Sequence, residues 1–243
     1  MSNEPMHRLA SAAVAIEGRV TQAFDAVERV RDAVLRVLLG AATQSRQPCR
    51  DDIGELRPLL TSIVSIPSHS VSGIGVATAA GLLTANTYWL EWWRRESDGQ
   101  VRFVRHNLNP AKDDYYDYSD RDWFTIPATT GLSSVVGPYV DTGGTNQYTV
   151  TVSLPVYADG VLVGVAGADL IAGSFETTLL RVLASRDQEV VLLNSQRRVI
   201  ASNTSESITG ALHYDQEDVS SAEMPLLTDR AAGDLPWRLL YRP

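Results

Sequence analysis

The stretch NQYTVTVSLPVYADGVLVGVAGAD, residues 146–169, decides how this chain folds. It reads as two strands, 146–157 and 161–169, separated by Ala158-Asp159-Gly160. Alternating runs on either side of an Asp-Gly pair are the signature of a tight hairpin, in which the glycine takes a positive φ. Strands joined so closely must be antiparallel, so the fold contains an antiparallel sheet. Ser97-Asp98-Gly99 repeats the signal between runs at 87–95 and 101–107, and another β-like run covers 73–83.

Upstream the period changes. Leu9, Ala13, Ile16, Val20, Ala23, Val27, Val30, Val34 and Val37 step alternately by four and three residues, a heptad-like seam. With Gly40 as a stop, this predicts one helix over about 6–40, roughly 50 Å long at 1.5 Å per residue. Such a seam packs either on its own domain or on a second copy of the chain; both can hold, and periodicity does not separate them. Asp51 and Asp52 followed by apolar residues at helical spacing predict a second helix, which Pro67 ends. Downstream, a helix over 172–185 leads to a smaller β unit. It has strands at 189–194 and 199–203 about a turn at 195–197, a short helix near 222–227 and a last strand at 237–241. The expected class is α+β: a helical region (1–67), a larger module (68–171) and a smaller one (172–243), each module an antiparallel sheet flanked by helices.

Composition limits the partners. The 243 residues carry 21 basic and 29 acidic side chains, a net charge of −8, with no basic block, which argues against nucleic-acid or anionic-membrane surfaces. Cys49 is the only cysteine, so neither an internal disulfide nor a thiolate metal site can form. Glu17 and Arg19 interrupt the first apolar run before a signal-peptide core is complete, and the apolar run at 33–42 contains Arg36 and falls short of a membrane span. The expectation is a soluble, cytoplasmic protein, unless an anchor flanks this sequence.

The chemistry lies between 115 and 169. DDYYDYSDRDWFTIP packs Tyr115, Tyr116, Tyr118, Trp123 and Phe124 around a single Arg121 with no strand or helix period. Ordering such a segment costs entropy unless it is buried against something, so it reads as a binding-site wall or as an aromatic loop capping the sheet. Tyr139 and Asp141, two apart in GPYVD, face the same side of an extended strand. Asp169 ends an apolar strand, where a carboxylate is costly unless paired or hydrogen-bonded. One guanidinium, two carboxylates and several aromatic faces match a zwitterionic α-amino acid. Arg121 suits the ligand carboxylate through two parallel N–H···O bonds. Asp141 and Asp169 suit the ammonium, with an aromatic face adding about 0.5–2 kcal/mol.

The series Tyr116-x4-Arg121-x-Trp123-Phe124, Tyr139-x-Asp141 and Asp169 in GADL resembles the amino-acid-binding signature of double Cache (dCache) sensor domains. The framework of GPY-x-D, T-x-S-x-PVY-x-DG and G-x-x-G-x-D resembles it too, as does the order of long helix, larger module and smaller module. The resemblance covers most of the chain, most strongly 115–170. It implies two PAS-like modules. It also implies that Arg121 and Trp123 hold a ligand carboxylate, that Tyr139, Asp141 and Asp169 hold the amino group, and that Tyr116 and Phe124 line the same pocket. Phe124 departs from the pattern, which usually has Tyr there. Family members sit outside the cell between membrane spans and feed a kinase, cyclase or chemoreceptor, so output here acts in trans or this sequence is a piece of something longer.

The expected function is a sensor for a free α-amino acid, dimeric through the N-terminal helix, with no cofactor or metal; the alternative is a sensor for an amine or quaternary ammonium compound. An enzyme lacks its parts: no nucleophile sits beside a base, and Lys112 is the only lysine available for a Schiff base. His7, His69, His106 and His213 have no metal-ligand spacing and read as structural or solvated. Ser68-His69-Ser70 lacks a nucleophile elbow, and Gly73-x-Gly75 lacks the third glycine of a dinucleotide site. Gly143-Gly144 reads as a turn. Tyr115, Tyr118, Asp113, Asp114, Asp117 and Asp120 read as a solvated acidic rim. Tyr88, Trp92 and Thr151 are candidate pocket walls.

Overall fold

The computed structural model describes residues 4–66, 70–84, 88–141, 147–183, 189–214, 222–226 and 237–242. The quoted hairpin is its centre: β5 (Tyr148–Ala158) and β6 (Val161–Ile171) turn through Asp159 and Gly160, both at positive φ. β1 (Val71–Thr78), β2 (Leu90–Arg95), β3 (Val101–Phe103) and β4 (Ser134–Val140) complete an antiparallel sheet in the order β3-β2-β1-β6-β5-β4. The second module holds β7 (Glu189–Leu193), β8 (Val199–Ser202), β9 (Ala222–Pro225) and β10 (Arg238–Arg242) in the order β8-β7-β10-β9.

The larger sheet separates two chemistries by strand alternation. On β5, Val150, Val152, Leu154 and Val156 belong to the main hydrophobic core. The intervening Thr151 and Ser153 turn to the opposite face, where their hydroxyls bond Asp169 and the backbone of Trp123. The core face is covered by α1 (Glu4–Thr43), which continues three residues past Gly40. Eight of the nine seam residues, Leu9 to Val34, are buried in this core, and Val37 packs against it. The seam is therefore spent within the chain. The faces of α1 left outside carry scattered apolar residues such as Val14 and Leu39, so the expected dimer seam is not free for a second copy. α1 touches both modules: it lies on β5 and β6 of the larger one and reaches β10 of the smaller one, while Arg8 bonds the carbonyl of Leu183 (3.1 Å) at the end of α5 (Gly173–Leu183).

Three local expectations are corrected. The second helix is two, α2 (Arg50–Gly54) and α3 (Arg57–Val64), because Pro58 has no N–H with which to continue the ladder. Residues 222–225, expected as helix, form the edge strand β9, with Met224 opposite Leu239 of β10. Residues 122–127, expected as irregular, form most of α4 (Asp122–Thr130), which is capped at its end by Gly131 in the left-handed region. The expectations at Pro67, Ser68, His69 and Gly143-Gly144 lie outside the described residues.

Candidate functional site

The polar face of the larger sheet is roofed by residues 104–131. Pro127 offers no N–H to the carbonyl of Trp123 four residues back, and that carbonyl instead accepts a bond from Ser153 Oγ on β5 (2.7 Å). The exchange fastens α4 to the sheet and seats the Trp123 indole beside that of Trp92, with ring centroids 5.6 Å apart. Tyr118, expected on a solvated rim, is buried: its hydroxyl donates to the carbonyl of Thr78 (2.7 Å), and its ring meets Tyr88 and Phe124. A buried phenol needs such a partner, and the deep position was invisible in a run of acidic neighbours. Asp113, Asp114 and Asp120 are exposed, as a rim would be. The amide of Tyr116 bonds the carbonyl of Asn107 (2.8 Å), which lays the Tyr116 ring flat on His106, centroids 3.9 Å apart.

Beneath this roof lies a chamber of about 40 Å³. Its floor comes from three neighbouring strands: Ser72 and Gly73 of β1, Leu90, Trp92 and Arg94 of β2, and Asp169 of β6; its walls are Val104, His106, Tyr116, Trp123, Tyr139, Asp141 and Thr149. Gly73 is paired with Arg94 on one side and Asp169 on the other. A Cβ on Gly73 would lie 2.9 Å from Asp169 Oδ2 and 3.0 Å from Trp92 Nε1, so the missing side chain makes room for their bond. The Gly73-x-Gly75 pair thus has a packing reason rather than a phosphate-binding one.

Asp169 is held on both oxygens. Trp92 Nε1 donates to Oδ2 (3.0 Å) and Thr151 Oγ1 donates to Oδ1 (2.7 Å). Thr151 Oγ1 also lies 2.5 Å from the Tyr139 hydroxyl. Since the threonine proton goes to the carboxylate, the tyrosine donates to the threonine, giving a relay directed toward Asp169. Burial raises the Asp169 pKa to about 7 against the lowering by these two donors, and Asp141 across the chamber adds to the rise. Burial likewise keeps Tyr116 at about 12, raises Tyr139 well above 10, and lowers His106, so that at neutral pH the phenols are protonated and the imidazole is uncharged.

A larger vestibule of about 540 Å³ adjoins the chamber and shares Tyr116, Trp123, Tyr139 and Asp141 with it. It lies between the modules, bounded by α4 and β4 on one side and by Asn194 to Gln196, Arg198 and Trp237 on the other. Asn194 Nδ2 joins the modules by donating to the carbonyl of Gly137 (2.8 Å).

Of the seven expected site residues, five line the chamber: Tyr116, Trp123, Tyr139, Asp141 and Asp169. Arg121, the residue preceding α4, is exposed and lines the vestibule, its guanidinium 5.5 Å from the Tyr116 ring. Phe124 is buried behind Trp123 and Tyr118 and is on the wall of neither space. Among the candidate walls, Trp92 lines the chamber, Thr151 acts from behind Asp169, and Tyr88 supports Tyr118. Sequence reading missed Ser72, Arg94 and Thr149 and set His106 aside. Arg94 could have been found, because it follows Trp92 by two on one strand and so shares its face.

A six-stranded antiparallel sheet with a roofed polar chamber is joined to a four-stranded one along α1. Residues 92–176 match the family model "Methyl-accepting chemotaxis protein-like, first PDC sensor domain". Over the whole chain the fold is similar to a structure titled Methyl-accepting Chemotaxis protein X (TM-score 0.67, 17% identity, covering 99% of this chain and 96% of that one). It is also similar to the sensory domain of the Campylobacter jejuni chemoreceptor Tlp3 with isoleucine bound (TM-score 0.63, 14% identity, 99% and 91%). A third similar structure is the ligand-binding domain of the Pseudomonas aeruginosa PAO1 amino-acid chemoreceptor PctC with GABA (TM-score 0.58, 16% identity, 99% and 98%). No curated protein sequence matches the chain. The family match thus covers about a third of the chain, and over its whole length the chain shares the two-module fold of these domains. Among the described residues, no helix is long and apolar enough to cross a membrane.

Proposed function

We propose that this domain senses a free α-amino acid, with the ligand ammonium at Asp169 and Asp141 and the ligand carboxylate at Arg121 and the start of α4. The observation that carries the reading is the setting of Asp169: a carboxylate at the base of a chamber, steadied by two donors, with the Asp141 carboxylate and aromatic rings around it. A cationic ammonium placed beside these two carboxylates favours their ionised forms. Tyr139, through Thr151, orients the carboxylate. Arg121 lines the vestibule beside Tyr116 and Trp123, which the vestibule shares with the chamber, and on this reading the amino acid bridges the two spaces. The similar Tlp3 domain with isoleucine bound supports an α-amino acid, and the similar PctC domain with GABA, a γ-amino acid, supports the broader class of ligands that carry both an ammonium and a carboxylate. On this reading the signal leaves through α1, which packs on both sheets.

A thermal-shift screen of the proteinogenic amino acids and small amines tests the reading. Ligand at about 100 times its Kd adds roughly 2.7 kcal/mol to the folded state, a rise of several degrees in a domain of this size. No shift with any α-amino acid refutes it. The exposure of Arg121 favours a second reading, an amine or quaternary ammonium ligand that uses only the carboxylates and rings. Arg121→Ala separates the two. It weakens an α-amino acid by about 1.5–3 kcal/mol, the range for hydrogen bonds to a charged group, and leaves an amine unchanged.

A further inference from the structure

The chamber holds a guanidinium, that of Arg94, to which the proposed function assigns nothing. Arg94 stands beside Trp92 on β2, on the chamber wall, in the strand register one step across Gly73 from Asp169. Its Nε is satisfied by Glu96 (2.9 Å), but its Nη1 is buried with no hydrogen-bond acceptor among the described residues. A buried N–H group of a charged side chain without an acceptor is costly, and a ligand that brings an acceptor to it removes that cost on binding. Two strand spacings, about 9–10 Å between backbones, separate Arg94 from Asp169, with a side-chain-free residue between them. A ligand whose ammonium is on Asp169 can therefore carry its far end to Arg94.

Charge decides what that far end is. Glu96 already offsets Arg94, and the other charged side chains lining the chamber and vestibule are Asp120, Asp122, Asp141 and Asp169 against Arg121 and Arg198, a formal net charge of −2. A neutral zwitterion leaves this sum unchanged, whereas a side-chain carboxylate makes it more negative inside a poorly solvated space. His106, uncharged through burial and stacked on Tyr116, adds a second hydrogen-bonding edge but no compensating charge. We infer that Arg94 is a specificity-determining residue that selects α-amino acids whose side chain ends in an uncharged acceptor, a carboxamide first of all. This rests on the amino-acid reading of the site and names its ligand subclass.

The test is calorimetric titration of the whole chain with glutamine, asparagine, glutamate, leucine and methionine, in the native protein and in Arg94→Met, which keeps the length and apolar stem of the side chain. The native protein should bind a carboxamide on the order of tenfold or more tighter than the apolar amino acids of similar size. Arg94→Met should erase that preference while holding leucine or methionine within about threefold. Equal or tighter binding of leucine by the native protein, or tighter binding of glutamate, overturns the inference and leaves the amino-acid reading standing. An equal loss for every ligand in Arg94→Met, with an unchanged unfolding temperature, assigns Arg94 to general binding and also overturns it. No binding of any α-amino acid to the native protein defeats the underlying reading and this one with it.

Discussion

Replacing Asp169 by Asn isolates the charge on which the site depends. In the folded protein burial raises the pKa of this carboxyl to about 7, against an ordinary 3.8. A carboxyl with a raised folded-state pKa favours folding most when protonated. Its contribution is therefore complete below about pH 4, declines as pH rises, and is gone above about 7. At about 1.4 kcal/mol per pH unit over about three units, the decline amounts to at most about 4 kcal/mol. The groups facing the carboxyl are Asp141, which raises its pKa, Arg94, Thr151 and Trp92, which lower it, and Tyr139 and Tyr116, which stay protonated throughout. Asn keeps the shape but does not titrate. Its amide must meet either Trp92 Nε1–H or the Thr151 hydroxyl, an offset that is the same at every pH. Urea unfolding of both proteins at intervals from about pH 4 to 8 gives the difference in free energy directly. Other groups, such as Asp52, whose ion pair with Arg46 holds its pKa below the usual range, cancel in that difference. Wild type should lose stability relative to the variant steadily over this interval and run parallel to it above about 7. Ligand affinity should move oppositely in wild type. An ammonium needs the ionised carboxylate, so the Kd should rise by up to tenfold per unit below about pH 7. A difference curve that is level across the interval would falsify the view of Asp169 as a buried, function-bearing acid.

Two further outcomes test the architecture. Gly73→Ala places a methyl 2.9 Å from Asp169 Oδ2 and 3.0 Å from Trp92 Nε1. It should cost about 1–3 kcal/mol of stability and abolish ligand-induced thermal stabilisation; native-like binding would show that the bond between Trp92 and Asp169 is not part of the site. Ile16→Ala, in the fully buried seam of α1, should cost about 2–5 kcal/mol in urea unfolding. That loss should not vary with protein concentration, since the seam packs on the chain's own sheet; a midpoint that climbs with concentration would place it at a subunit interface.

Much of the framework was legible because it repeats locally. The four-and-three spacing of α1 and the alternation of β5 and β6 about Asp159-Gly160 are properties of adjacent residues, and the backbone answers to them directly. α4 was illegible for the same reason. Its nine residues include Pro127, and their burial pattern follows the sheet below rather than a helical stripe. Tyr118 and Asp120, two positions apart in one acidic run, take opposite fates because only the former reaches a free carbonyl, that of Thr78.

The sequence by itself determined the element order, the antiparallel hairpin and, through residue type and spacing, five of the side chains that line the chamber. Only the tertiary structure decided that the α1 seam faces inward, that Arg121 lies in the vestibule, and that Arg94 shares the chamber with Asp169. Periodicity states which face of a strand a residue occupies, whereas residues distant along the chain meet through the register between strands. That register, with Arg94, Gly73, Asp169 and Thr151 in one row, is fixed by the packing of the whole sheet against α1.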